Sequence, residues 1–112
     1  MDMGLSKTEM FTEEQNELAL IGKVFAHPAR IAIMQHLFKV KACVCGGLVD
    51  EIGLAQPTVS QHLKELKNMG LIKGEVEGTS VCYCVHGANW TKMKEQFKAF
   101  LDQEIEQDQK CC

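Results

Sequence analysis

CVCGGLVDEIGLAQPTVSQHLKELKNMGLI, residues 43–72, holds two short helical patterns with a glycine turn between them. The run from Cys43 to Ile52 reads as the first helix, with Leu48, Val49 and Ile52 turned inward, and Gly53 ends it. A turn over Gly53 to Ala55 leads to Pro57, whose missing N–H suits the first turn of a helix. Val59, Leu63, Leu66 and Met69 then recur at helical spacing until Gly70 caps the end. Apolar residues thus occupy one face of the second helix. Gln56, Thr58, Ser60, Gln61 and Lys64 are left on the other, with His62 at its edge. A glycine-containing turn between two short helices, the second with a polar free face, is the pattern of a helix-turn-helix, whose second helix reads the DNA major groove.

Upstream, Thr12 followed by Gln15 forms a capping-box spacing, and Leu18, Ile21, Val24 and Phe25 predict a first helix over Thr12 to Phe25. His27 and Pro28 open a second helix through Leu37, with Ile31, Met34, Leu37 and Phe38 expected on its buried face. Downstream, Leu71 to Val76 and Thr79 to Val85 read as two strands joined by a tight turn at Glu77 and Gly78, a wing. Asn89 is placed to cap a last helix whose Trp90, Met93, Phe97, Phe100, Leu101 and Ile105 form an apolar stripe of nearly heptad spacing. The expected fold class is mainly α with a small β-hairpin, in the order α-α-α-α-β-β-α.

The 112 residues suffice for one core and are too few for two ordinary domains, so residues 1–112 are expected to form a single domain. No stretch approaches the roughly 20 apolar residues that span a bilayer, and Met1 to Met10 lack the pattern of a secretory signal. A cytoplasmic protein without membrane contact is expected. Six cysteines in a chain without an exporting context are expected to be reduced thiols, and all stand in close pairs: Cys43 with Cys45, Cys82 with Cys84, Cys111 with Cys112. The net charge of -3 excludes a generally basic coat, but the charge is uneven. Lys64, Lys67 and Lys73 face only Glu65 over residues 56–73, whereas Asp102, Glu104, Glu106 and Asp108 crowd the tail.

Over these residues the chain resembles the ArsR/SmtB family of bacterial repressors, from about Leu18 to His86. HPARIAIMQHL (residues 27–37), the stretch 43–72 quoted above and GTSVCYCV (residues 78–85) carry the likeness, above all the CVC motif followed by QPTVSQHLKEL. The resemblance implies a winged helix-turn-helix homodimer, its first and last helices at the interface, that binds a palindromic operator and leaves it when an inducing ion binds. It also implies a regulator rather than an enzyme, with no cofactor needed for DNA binding.

The candidate DNA contacts are Gln56, Thr58, Ser60, Gln61, His62 and Lys64 on the reading helix and Lys73 and Thr79 on the wing. Gln56 and Gln61 can pair with adenine, Thr58 and Ser60 can serve bases or phosphates, and Lys64 can neutralise phosphate or reach guanine. The only arginine, Arg30, lies outside that helix, which excludes bidentate arginine-to-guanine contacts from it. The wing departs from the family by carrying Glu75 and Glu77, and Ala55 stands where a capping serine is common.

Cys43 and Cys45 stand at the family's CVC arsenic site, and soft thiolates select arsenite, antimonite, cadmium, lead or Cu(I) over hard ions. Two residues apart, they share no face of a regular helix, so both thiolates reach one ion only where this helical start is frayed or distorted, and binding is then expected to deform the reading head. The third family cysteine is replaced by Leu48, which makes Cys111 and Cys112 the candidates to complete the metal site, while Cys82 and Cys84 read as half-buried packing on one strand face. The family's second site, of carboxylates and histidines on the last helix, has no match, because His27, His36, His62 and His86 all precede it. His27 reads as structural, and His36 and His86 gain no role. Two alternatives share these residues. Paired thiols also suit a redox or persulfide sensor of the same fold. A small thiol reductase fits less well, since no CxxC motif is present and Arg30 precedes every cysteine.

Overall fold

In the computed structural model, which describes residues 9–77 and 80–105, the chain runs α1 (Glu13–Val24), α2 (Pro28–Val40), α3 (Leu48–Ile52), α4 (Gln56–Asn68), β1 (Ile72–Glu77), β2 (Ser80–Val85) and α5 (Gly87–Leu101). The capping box forms as its spacing predicts. The Gln15 N–H donates to Thr12 Oγ1 at 3.1 Å and the Thr12 N–H to Gln15 Oε1 at 2.9 Å, satisfying two donors that the helix leaves unpaired. His27 and Pro28 open α2, and Gly53, in the left-handed region at φ 80°, closes α3. Met69 ends α4, with Gly70 beyond it at φ 74°.

The core gathers Ile21 and Val24 of α1, Ile33, Met34 and Leu37 of α2, Leu48 of α3, and Val59, Leu63 and Leu66 of α4, with Leu71, Ile72 and Met93 behind them. Burying one such aliphatic side chain stabilises the fold by roughly 1.5–3 kcal/mol, so the three from α4 fix the reading helix firmly to the body. The predicted buried face of α2 needs correction. Met34 and Leu37 are buried, but Ile31 and Phe38 are 38% and 40% exposed, and Ile33 and Arg30 take the inner positions. Helix α2 is apolar on two sides, and periodicity alone does not choose between them. Phe38 instead lies edge-on to Trp90 at 4.7 Å between centroids.

The second correction concerns the CVC segment, which is not helical. The Val44 N–H donates to the Tyr83 carbonyl at 2.8 Å and the Tyr83 N–H returns a bond to the Val44 carbonyl at 2.9 Å, so Val44 forms an isolated antiparallel bridge to β2 beside the two-stranded hairpin. Gly47, at φ 80°, stands as the N-cap of α3 in a conformation that keeps the helix from extending upstream. The hairpin itself is antiparallel, from Ile72 opposite Val85 to Glu77 opposite Ser80.

Helix α5 begins earlier than Asn89. His86 is its N-cap, with Nδ1 accepting the Asn89 N–H at 3.2 Å, and the Asn89 side chain crosses to donate to the Gly70 carbonyl at 2.9 Å. A Cβ at Gly70 would fall 2.8 Å from Asn89 Nδ2, so positive φ and close approach both call for glycine there. Of the predicted apolar stripe, Met93 is buried and Trp90 and Phe97 pack partly against the core, while Phe100, Leu101 and Ile105 remain exposed. Among the described residues no helix is long and apolar enough to cross a membrane.

Candidate nucleic-acid interface and thiol cluster

On α4 the two faces separate as predicted. Val59, Leu63 and Leu66 are buried, whereas Gln56, Thr58, Ser60, Gln61 and Lys64 are exposed on the outer surface. Ala55 supplies no side-chain cap; Pro57 has no N–H, and the Thr58 and Val59 N–H groups both donate to the Ala55 carbonyl at 3.0 Å. Gln56 Nε2 donates to Ser60 Oγ at 2.9 Å and Gln61 Nε2 to Glu65 Oε1 at 3.0 Å, one-turn pairs that hold both amides ordered along the helix.

His62 differs from its neighbours. It is half-buried, and its Nδ1 accepts the Arg30 Nε–H at 3.0 Å, while Arg30 Nη1 donates to the Val24 carbonyl at 3.2 Å. Burial pushes the His62 imidazole below the usual histidine value, and the positive charges of Arg30 and His27 push the same way. The neutral ring is the form that can accept from a guanidinium. His62 therefore positions α4 against α2, and Arg30, 9% exposed, is the residue that sequence reasoning passed over. Its one available signal was an arginine at a helical position beside core aliphatics. The His27 ring lies tilted beside His62, with ring centroids 5.5 Å apart. His36 Nδ1 lies 3.6 Å from a Glu51 carboxylate oxygen, across the α2–α3 contact.

On the wing, Lys73 is exposed and 3.8 Å from Glu75, so its charge is partly offset before any phosphate is met. Thr79 lies outside the described residues.

The sulfurs form a cluster that the sequence did not announce. Cys43 is joined to Cys84 and Cys45 to Cys82 by disulfide bonds, with Cα separations of 4.4 and 3.9 Å. The expectation of free thiols at these four positions is corrected, and so is the reading of Cys82 and Cys84 as packing alone. The cause is the register. Val44 and Tyr83 are a hydrogen-bonded pair, so the residues flanking them face one another as non-hydrogen-bonded pairs, where side chains approach closest. Leu48, at the place of a third cysteine, is buried in the core. Cys111 and Cys112 lie outside the described residues.

Residues 27–73 match the family model described as bacterial regulatory protein, arsR family. An HTH-type transcriptional regulator of Methanocaldococcus jannaschii is 40% identical over 68 residues, 60% of this chain and 75% of that protein. The chain belongs to the ArsR family. The HTH-type transcriptional repressor SmtB of Mycobacterium tuberculosis is 46% identical over 61 residues, 54% of this ArsR-family chain but only 44% of SmtB. In fold, it matches the homodimeric winged helix-turn-helix DNA-binding domain of Mycobacterium bovis Mb0332 with a TM-score of 0.62, covering 99% of this chain and all of that one at 21% identity. It is a winged helix-turn-helix member of a family of bacterial transcriptional regulators.

Proposed function

We propose that this regulator is a homodimeric repressor that holds a palindromic operator through α4 and, with its two disulfides reduced, releases it when a thiophilic ion, arsenite or a soft metal cation, binds the thiolates of Cys43 and Cys45. The observation that carries the reading is the division of α4 into a buried apolar face and an exposed face of Gln56, Thr58, Ser60, Gln61 and Lys64. Those residue types pair with base edges and phosphates in a major groove, and no cofactor is needed for that contact.

Dimerisation is supported by an apolar groove of about 680 Å³ between α1, α2 and α5, lined by Phe25, Ile31, Met34, Trp90, Phe97 and Leu101 among others. A second copy seated there would cover the exposed ends of the α5 stripe and space two reading helices about one DNA turn, roughly 34 Å, apart. The homodimeric Mb0332 domain shares this fold. The sensing reading is supported by where the thiols stand: the CVC segment leads directly through Gly46 and Gly47 into α3, which packs on α4. An ion that prefers one arrangement of this segment shifts the balance between DNA-bound and free forms, with a coupling of about 1–3 kcal/mol. DNA must weaken ion binding by the same factor.

The test is titration of the operator-bound, reduced protein with arsenite, antimonite, cadmium and zinc, read by fluorescence anisotropy. Wild type should release on a thiophilic ion, and the Cys43→Ser/Cys45→Ser protein should bind the operator normally and stay bound. Normal release by that variant refutes the sensor, and no preference for a palindromic duplex over random sequence refutes the whole reading. The two disulfides favour a second reading in which oxidation is the signal. Mass measurement of the released protein separates them: oxidation to two disulfides removes four hydrogens, a persulfide adds sulfur, and ion capture leaves the covalent mass unchanged.

A further inference from the structure

We propose that Cys82 and Cys84 of the wing complete, with Cys43 and Cys45, a four-sulfur site within a single chain for a thiophilic divalent cation of tetrahedral preference, of the cadmium or zinc class. This rests on the ion-responsive reading above and names the ligands of that same site.

Side chains alternate along extended backbone, so Cys43 and Cys45 lie on one side of the Val44 bridge and Cys82 and Cys84 share one face of β2. Opposed residues of paired strands lie on the same side of the sheet, and the Val44–Tyr83 pairing sets Cys43 opposite Cys84 and Cys45 opposite Cys82. All four sulfurs therefore stand on one face, while Val44 is buried on the other. Neighbours two apart on a strand are about 6.7 Å apart. Sulfurs bound at about 2.3 Å to one tetrahedral ion are about 3.8 Å apart, so each thiol need lean only about 1.5 Å along the strand. Across the strands the paired sulfurs, joined as disulfides here, need only part to about the same 3.8 Å once reduced.

The surroundings fit an anionic, accessible centre. Cys43 and Cys45 are exposed and Cys84 is half-buried, whereas Cys82 is 1% exposed and anchors the floor. Four thiolates on a divalent cation carry two net negative charges. Lys41 and Lys73 line the cavity of about 450 Å³ beside Cys43 and Cys84, and Lys73 is the cross-strand neighbour of Cys84. Glu75, opposite Cys82, opposes them, at 3.8 Å from Lys73. Trivalent arsenic takes three sulfurs and would leave one of the four unused, which is why a four-coordinate cation is the better match.

The sulfurs must first be reduced. The four are paired as two disulfides, and among the described residues no group of three or more His, Cys, Asp or Glu is arranged to hold a metal. Each disulfide takes two electrons from a phosphine, which becomes its oxide as water gives the oxygen and the two protons, or two electrons and two protons from a dithiol, which becomes a disulfide; the four thiols then release four protons on binding one divalent cation.

The test is cadmium titration of the full chain kept reduced by a phosphine. Thiolate-to-metal charge-transfer absorbance, thiols protected from a thiol reagent and cadmium-113 NMR are read together. Wild type should bind one cadmium per chain, protect four of its six cysteines and give the NMR shift of a four-sulfur environment. Cys82→Ser/Cys84→Ser should lose about half the absorbance and bind about 100-fold or more weakly, while Cys111→Ser/Cys112→Ser should match wild type. Full absorbance in the wing variant, loss in the tail variant, or a two- or three-sulfur shift in wild type each overturns the inference. The wild-type NMR shift decides even if the wing variant misfolds. If the wing variant binds like wild type but Cys43→Ser/Cys45→Ser does not, the wing ligands fail and the ion-responsive reading survives. If neither matters, both fail.

Discussion

Replacing His62 with leucine removes the acceptor through which Arg30 holds α4 to α2. The Arg30 Nε–H donates to His62 Nδ1 at 3.0 Å, and Arg30 is 9% exposed, so water replaces the lost partner poorly. Hydrogen bonds to charged groups contribute about 1.5–3 kcal/mol, and an orphaned buried donor adds its own desolvation penalty. A loss of about 2 kcal/mol, with a urea slope of about 1.5 kcal/mol/M, lowers the denaturation midpoint by about 1.3 M. Trp90, the one tryptophan, reports the transition by its fluorescence. The pH dependence follows from the lowered value of His62 in the folded chain. The unfolded ring titrates near 6.5, so in acid the unfolded state takes up the proton more readily than the native state. The stabilisation is therefore fully present above pH about 6.5 and is lost as pH falls through the lower folded value. Wild type should exceed His62→Leu by the full margin at pH 8, and the gap should narrow in acid. Adding Arg30→Met should recover part of the loss by removing the stranded charge. Midpoints within about 0.3 M at pH 8, or a gap that does not change with pH, would refute this account of the α2–α4 contact.

Leu66→Ala, at a fully buried position on α4, should lower stability by about 2–5 kcal/mol by calorimetry or urea; a change under about 1 kcal/mol would mean the site collapses around the gap. Lys64→Ala should weaken binding to all duplexes alike and reduce the slope of log affinity against log salt by about 1 per chain; an unchanged slope would place Lys64 away from phosphate. Phe97→Glu, in the apolar groove between α1, α2 and α5, should shift sedimentation to the monomer and abolish operator binding at concentrations that saturate wild type. A stable Phe97→Glu dimer would move the interface elsewhere.

Local signals carried most of the fold. Thr12 and Gln15, Pro28, Pro57, Gly53 and Gly70 each act within one helical turn, and each marks the boundary that its chemistry predicts. What stayed hidden depends on distant partners. Nothing near Val44 announces a β-bridge, because its hydrogen-bond partner Tyr83 lies in the wing. The helix expected over Cys43 to Ile52 therefore loses its first residues around this bridge. The same distance hid the sulfur cluster, although two Cys-x-Cys pairs, at 43–45 and 82–84, were visible as separate motifs. Arg30 was set aside because it lies outside the reading helix, yet its side chain reaches into it. His86 and Asn89 exchanged roles for a similar reason: Asn89 spends its amide on Gly70, nineteen residues back, which leaves capping to His86. On the outer face of α4, by contrast, residue type and spacing were enough, since exposure there follows directly from the burial of Val59, Leu63 and Leu66.

The Gly70–Asn89 contact turns the molecule into a lever. Gly70 sits just past the end of α4 and Asn89 in the first turn of α5, and the bond between them leaves no slack for a side chain. A tilt of α5 would pull directly on the residue that follows the tail of α4. A substitution along α5 that moved Asn89 would therefore be felt at the end of α4 while every exposed side chain of α4 stayed the same.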